Sequence, residues 1–251
     1  NVFFIFFNLQ CMYCQNYQIS QKGCKIKTTE LPLAEVVVSI KKILNEGAES
    51  LGFVSPTHMI PQMLAIIEAL KTDGYRPIIV YNTNSYDTIE MLRLLEDHVD
   101  VYLPDYKYSD PVLAAKYSDA INYPEIALSA IKEMFRQKGN VLHLNENGIA
   151  ERGLVVRHLV LPGAVGNSIQ VLRNLAEEIS NRITVSLMSQ YHPISKVSGF
   201  KHLNRKITVG EYKQVVDEME LLGFSKGWIQ NPESSDFYLP DFESGSHFQV
   251  F

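Results

Sequence analysis

Two thiols two residues apart, Cys11 and Cys14, stand in the turn-like stretch Cys11-Met12-Tyr13-Cys14-Gln15-Asn16, directly behind the apolar run Val2-Phe3-Phe4-Ile5-Phe6-Phe7. Thiolates are soft ligands that suit iron–sulfur clusters and zinc, and two on one short turn reach a single metal centre. A redox or buried thiol pair is the other chemistry this spacing serves. With Cys24 the chain has three cysteines, an odd number that does not make a secreted disulfide framework, so a reducing, cytoplasmic setting is expected.

Other reactive side chains interrupt apolar runs. Asp105 and Lys107, two apart on a strand-like stretch, point the same way and can pair with each other or grip a zwitterionic amino acid group. Arg157 and His158 alternate inside an apolar run, so one of them faces a strand's inner side, where an ionisable group needs a partner. Asn82, Thr83 and Asn84 offer amides and a hydroxyl that suit a ribose diol or a carboxylate, or that simply form a turn. Thr57 and His58 follow another apolar run, where Thr57 also suits a helix cap. Gln190 and His192 form a weaker cluster, and Glu133 and Arg136 have the spacing of a local helical pair.

These residues must be positioned by the elements around them. Strands are expected over Val2 to Phe7, Leu51 to Val54, Pro77 to Tyr81, Val99 to Leu103, Leu154 to Leu161 and Ile183 to Met188, with a last short one near Trp228. Helices are expected over Leu33 to Leu44, Pro61 to Leu70, Thr88 to Glu96, Ala114 to Lys116, Pro124 to Gln137, Ser168 to Ile179 and Val209 to Leu222. Strict alternation implies a parallel sheet with right-handed crossovers and outer helices. Six strand–helix units make an open (β/α)6 partial TIM barrel over residues 1–230, with its site at the carboxyl ends of the strands. The segment Lys138 to Arg152 reads as a surface loop, and residues 231–251 as a tail lying over the barrel.

The chain has 251 residues, 46% of them hydrophobic and 20% charged, enough for one large domain with a substantial core. A net charge of -5 with no run of Lys or Arg gives no electrostatic footprint for nucleic acid or an anionic membrane. The run from Val2 to Phe7 is far too short to span a bilayer and lacks the flanks of a signal peptide.

Taken together, the motifs resemble the radical S-adenosylmethionine (SAM) superfamily, and within it the proteins similar to the pyruvate formate-lyase activating enzyme. The resemblance rests on the cysteine loop with Asn8-Leu9-Gln10 before it and Gln15-Asn16-Tyr17 after it. It also rests on Phe53-Val54-Ser55-Pro56-Thr57-His58, Tyr81-Asn82-Thr83-Asn84-Ser85-Tyr86 and Val101-Tyr102-Leu103-Pro104-Asp105-Tyr106-Lys107-Tyr108. Further matches are Glu133-Met134 with Arg136-Gln137, Val156-Arg157-His158-Leu159-Val160-Leu161-Pro162-Gly163 and Ser186-Leu187-Met188-Ser189-Gln190-Tyr191. The match runs from Phe3 to Asp241.

The resemblance implies a [4Fe–4S] cluster on Cys11 and Cys14, with Tyr13 between them as the family prefers. It implies SAM held by Thr57, His58, Asn82, Asn84, Asp105, Lys107, Arg157 and Gln190, with Pro162-Gly163 beside adenine. The implied activity is reductive cleavage of SAM to a 5′-deoxyadenosyl radical that takes hydrogen from a protein, a glycyl radical enzyme, with flavodoxin or ferredoxin as electron donor. Members usually carry a further segment ahead of the cluster strand, which implies one before Asn1. One position departs from the pattern: where the family has the first of three cluster cysteines, this chain has Phe7. The readings left open are an altered position 7, a barrel that has lost radical chemistry, or rescue by Cys24. Beside them stand a SAM-binding protein without a cluster and a zinc or thiol site in which His58 is the nearest extra ligand.

Overall fold

The computed structural model describes residues 1–20 and 31–231. In chain order the elements are β1 (Val2–Phe3), α1 (Tyr17–Ser20), α2 (Leu33–Asn45), β2 (Ser50–Val54), α3 (Ile60–Thr72), β3 (Ile78–Thr83), α4 (Ile89–Leu94) and β4 (Val101–Pro104). There follow α5 (Pro111–Ser118), α6 (Tyr123–Lys138), β5 (His143–Leu144), β6 (Ala150–Leu159), α7 (Val165–Leu175), β7 (Thr184–Met188), α8 (Val209–Leu221) and β8 (Gly227–Ile229). No helix among the described residues is long and apolar enough to cross a membrane.

The sheet runs β1-β2-β3-β4-β6-β7-β8 with every one of these pairs parallel, and β5 adds to β6 antiparallel. Strand order follows chain order, as in a singly wound barrel with its crossover helices on the outside. β1 and β8 stand at opposite ends of that order, so the barrel is open, as the alternation predicts.

Period-two alternation decides which side chains enter the barrel. On β3, Ile79, Tyr81 and Thr83 are buried under the helices, while Ile78, Val80 and Asn82 on the inner face are half-buried. β6 repeats the pattern: Val156 and His158 are buried on the helix side, and Arg157 and Leu159 look inward. Of the alternating pair Arg157 and His158, the arginine is therefore the one inside. The helix-side layer is the main core, with Phe53, Met63, Tyr81, Leu92, Tyr102, Met134 and Leu172 buried completely.

Local chemistry fixes several helix ends. Asp110 caps α5 by accepting from the Val112 and Leu113 amides, with Pro111 in the first turn where its missing N–H costs nothing. Thr208 and Glu211 form a reciprocal capping box on α8. Gly227 opens β8 because the backbones of β7 and β8 nearly touch there. A Cβ at Gly227 would lie 1.8 Å from Val185 O, and its φ of +127° suits only glycine.

Three expectations are corrected. The strand expected over Val2 to Phe7 pairs only at Val2 and Phe3, because Phe6 turns into the left-handed region (φ 61°). The Phe6 and Phe7 amides then donate to the Ile19 and Ser20 carbonyls, so the chain ties to the end of its own cysteine loop instead of to β2. Residues 138–152 contain β5, which folds back on β6 through an Asn145 to Ile149 turn closed by Asn145 Oδ1. The helix expected over Ser168 to Ile179 begins at Val165, and a wider π-type turn carries it from Ala176 to Ser180. Cys24, and the tail beyond Asn231, lie outside the described residues.

Candidate functional site

The cysteine loop spans the carboxyl end of the barrel. It follows β1, is pinned to α5 by the Met12 amide donating to Tyr117 O (2.8 Å), and reaches the segment just past β7 through Gln15 Nε2 donating to Gln190 O (2.8 Å). The ring of Tyr13 packs between Tyr108 and Tyr191, with centroids 6.5 and 6.1 Å away. Both thiols receive hydroxyl donors: Ser118 Oγ lies 3.0 Å from Cys11 Sγ and Ser20 Oγ 3.3 Å from Cys14 Sγ. Behind Ser118, Tyr108 Oη lies 2.7 Å away and is itself 2.7 Å from Tyr13 Oη. Burial raises both thiol pKa values; that of Cys14, with Cys11 adding to the effect, is pushed up to about 11.

Facing the thiols is a row of charges at the ends of β4 and β6. Lys107 Nζ lies 2.6 Å from Asp105 Oδ2, Arg157 Nη2 lies 2.6 Å from Asp105 Oδ1, and the same Nη2 donates to Asn82 Oδ1 at 2.7 Å. Burial alone would push the Asp105 carboxyl up, but Arg157 and Lys107 outweigh it and hold the group below its usual range. One carboxylate between two cations leaves the row with a net positive charge. Arg157 Nε is buried with no hydrogen-bond partner among the described residues, and such a donor suits an anionic ligand group.

Cys11, Tyr13, Cys14, Asn82, Asn84, Asp105, Lys107, Arg157 and Gln190 line one cavity of about 320 Å³, together with Phe7 and Ser55. Nine residues scattered over the sequence thus converge, as strand-end placement predicts, in a space within the size range of small-ligand pockets, which starts at about 300 Å³. Asn84 also does structural work: its Oδ1 accepts from the Tyr86 amide and its Nδ2 donates to Asn8 Oδ1. Gln190 Oε1 accepts from Gln230 Nε2 at 2.9 Å. Ser55 and Ser85, at the ends of neighbouring strands, both hold left-handed backbone (φ 50° and 65°), which costs non-glycine residues energy and marks a shaped rim.

Two of the expected cofactor residues are not brought to this cavity. Thr57 Oγ1 lies 3.4 Å from Thr83 Oγ1, at the edge of the buried cluster in which Tyr81 and Thr83 hydroxyls donate to Asp87. His58 Nε2 is bonded to Ile5 O at 2.7 Å and its ring stands edge-on to Phe4, so it braces the β1 segment and does not offer itself to Cys11 and Cys14 as a further zinc ligand. At Gly163 the space on the side of a Cβ is taken. A Cβ there would meet His202 at 2.9 Å, and its amide donates to Glu211 Oε1. Glu133 and Arg136 form the expected local pair, which also reaches Glu96 and ties α6 toward α4.

No protein-family model matches the chain. An uncharacterized protein of Methanocaldococcus jannaschii is 26% identical over 224 residues, covering 87% of this chain and 61% of that relative. The chain therefore spans less than two thirds of the relative's length. Among solved structures, a domain of the pyruvate-formate lyase-activating enzyme from Bacteroides vulgatus matches with a TM-score of 0.52 at 15% identity, covering 72% of this chain and 99% of that one. Streptococcus suis SuiB bound to S-adenosylmethionine gives 0.61 at 11% identity, covering 96% of this chain and 52% of SuiB. HydG, a maturase of the [FeFe]-hydrogenase, gives 0.60 at 12%, covering 94% and 52%.

The chain has the radical SAM fold. Within that fold its residues meet one half of the expected site and miss the other. The charged row, the orphaned Arg157 Nε and the amides fit the amino acid and ribose ends of SAM. The three-thiolate cluster does not fit the described residues: Cys11 and Cys14 share the cavity with Phe7, whose ring offers no ligand at the third position. No group of three His, Cys, Asp or Glu side chains among the described residues stands together as a metal site.

Several contributors escape a reading of the sequence. Ser20 reaches Cys14 from the end of the same loop and Ser118 reaches Cys11 only through tertiary packing, which also brings Tyr123 to the Lys107 amide and Asn167 to Lys107 O. Asp105 and Lys107 face the cavity, while Tyr106 and Tyr108, which alternate with them, are wholly buried.

Proposed function

We propose that this protein binds S-adenosylmethionine across the carboxyl ends of β3, β4, β6 and β7, as a radical SAM-type enzyme acting on a protein or peptide. The observation that carries this reading is the joining of Asp105, Lys107, Arg157 and Asn82 in one row opposite Cys11 and Cys14. Arg157 receives the ligand's carboxylate, Asp105 its ammonium, and the Asn82 and Asn84 amides its ribose hydroxyls. Leu9, Leu159 and Met188 give the cavity the apolar part of its wall.

The finer reading follows the activating-enzyme resemblance: hydrogen abstraction from a glycyl radical enzyme, with a flavodoxin or ferredoxin as reductant, in the cytoplasm. It requires the iron–sulfur cluster, and for that the described residues supply two thiolates. A peptide or protein substrate is supported by a second SuiB structure of similar fold, in which SuiB is bound to the precursor peptide SuiA. The alternative, a SAM-binding barrel without a cluster, is favoured by Phe7 itself.

Calorimetric titration of SAM into metal-free protein, repeated after anaerobic reconstitution with iron and sulfide, separates these readings. Saturable binding that Arg157→Ala abolishes supports the ligand site. A cluster that forms in Phe7→Cys but not in the parent chain supports the radical SAM lineage of the loop. No SAM binding under any of these conditions sinks the proposal.

A further inference from the structure

The pair Asp105 and Lys107 sits on a strand end and the first residues of a loop, where a backbone is ordinarily free to adjust. Here it is not. The Asp105 amide donates to Thr83 O (2.8 Å) and the Tyr106 amide to Arg157 O (2.9 Å). The remaining groups are met by three side chains behind the cavity wall. Tyr123 Oη accepts from the Lys107 amide at 3.0 Å and lies 2.8 Å from Asp105 O and 2.9 Å from Asn84 O. His158 Nδ1 donates to Tyr106 O at 2.6 Å, its Nε2 accepting from Ser168 Oγ at 2.8 Å. Asn167 Nδ2 donates to Lys107 O at 3.1 Å, while its Oδ1 takes the Ser109 amide at 2.9 Å and the Asp110 amide at 3.2 Å.

Every backbone N–H and C=O from Asp105 to Lys107 thus has a partner at hydrogen-bond distance, Asp105 O sharing the single Tyr123 proton with Asn84 O, and the partners come from β3, β6, α6 and α7. Tyr123 and His158 are completely buried and Asn167 is nearly so, and none of the three lines the cavity. Whatever they do for a ligand they do through Asp105 and Lys107. A backbone held this way does not shift when a ligand arrives, and the bonds of Asp105 to Lys107 and Arg157 orient the side chains it carries before binding.

We propose that Tyr123, His158 and Asn167 are positioning residues that hold Asp105 and Lys107 in register with Arg157, so that a zwitterionic amino acid end adds to the affinity of a ligand that carries one. This rests on the ligand reading above, but its first test does not need a ligand. In protein labelled with nitrogen-15 lysine, the Lys107 ammonium gives an ordered resonance, identified by its loss in Lys107→Gln. Tyr123→Phe keeps the ring and removes the hydroxyl. Asn167→Asp keeps the acceptor for Ser109 and Asp110 and removes the donor to Lys107 O. Ser168→Ala removes only the support behind His158 and is the mildest of the set.

In folded variants with melting points near that of the parent, the Lys107 resonance is expected to broaden or shift. SAM affinity is expected to fall about tenfold, the loss of one or two well-placed hydrogen bonds, while the affinity of adenosine, which has no amino acid end, stays unchanged. An unmoved Lys107 resonance in all three variants overturns the inference, and so does an equal loss for SAM and adenosine. If the parent protein binds no SAM and the Lys107 resonance still responds, the positioning role stands and the ligand reading falls.

Discussion

Arg157 Nη2 lies 2.6 Å from Asp105 Oδ1, across the backbone bridge that joins the end of β4 to β6. The pair is therefore both a structural clasp between two strands and the wall of a cavity. A buried charge stripped of its partner is far more costly than the intact pair is stabilising. Asp105→Asn, which leaves Arg157 and Lys107 facing each other without a carboxylate, is expected to destabilise the fold by about 3 kcal/mol or more in urea unfolding. Arg157→Ala is expected to cost less, because Lys107 still neutralises Asp105. A smaller loss in Asp105→Asn than in Arg157→Ala would show that the carboxylate is not the centre of the cluster.

His158 gives a prediction in pH. Burial depresses its pKa from 6.5 to about 4, so the imidazole stays neutral in the folded state. Between pH 6.5 and 4 the unfolded chain takes up a proton that the folded chain refuses, so stability falls as pH falls through that window. The full effect is about 3 kcal/mol by linkage. Denaturation midpoints measured from about pH 7 down to about pH 4 should therefore drop less steeply in His158→Gln than in the parent. Parallel curves would refute a buried neutral imidazole.

Phe7→Cys restores a third thiol beside Cys11 and Cys14. Anaerobic reconstitution of this variant is expected to give the broad visible absorption of an iron–sulfur cluster, with iron and sulfide in equal amounts, and the parent chain is expected to stay colourless. Because Ser118 donates to Cys11 Sγ, adding Ser118→Ala to that variant should weaken metal retention against a chelator, by about tenfold or more. Equal retention with and without the hydroxyl would remove Ser118 from the site.

Gly227→Ala should weaken the fold at a place remote from the cavity lining. The new Cβ cannot coexist with Val185 O, and β8 must move away from β7. A loss of about 2 kcal/mol or more is expected from this backbone clash. Thermal unfolding measures it, and an unchanged melting temperature would mean that β8 contributes nothing to the sheet.

The parallel order of strands is legible because each strand is followed by an apolar-striped helix, and the site residues are legible because they stand where strands end. What stays hidden depends on three-dimensional choices that spacing does not record. Phe6 belongs to an unbroken apolar run, yet its left-handed backbone ends β1 early. His58 stands at a strand end like Asn82, but one bond to Ile5 O turns it away. Gly163 reads as room for a ligand, and His202, far along the chain, stands where a side chain at that position would point. Ser118, Tyr123 and Asn167 carry no motif at all; packing alone brings them behind the site.

The bond from Gln15 to Gln190 means that the cysteine loop has two abutments, β1 on one side and the segment just past β7 on the other. Strands at the open ends of a sheet are the ones free to drift, and this loop crosses between their neighbourhoods. The turn that carries both thiols is closed by its own bond from the Cys14 amide to Cys11 O (3.2 Å), so the two sulfurs are held as one unit between those abutments.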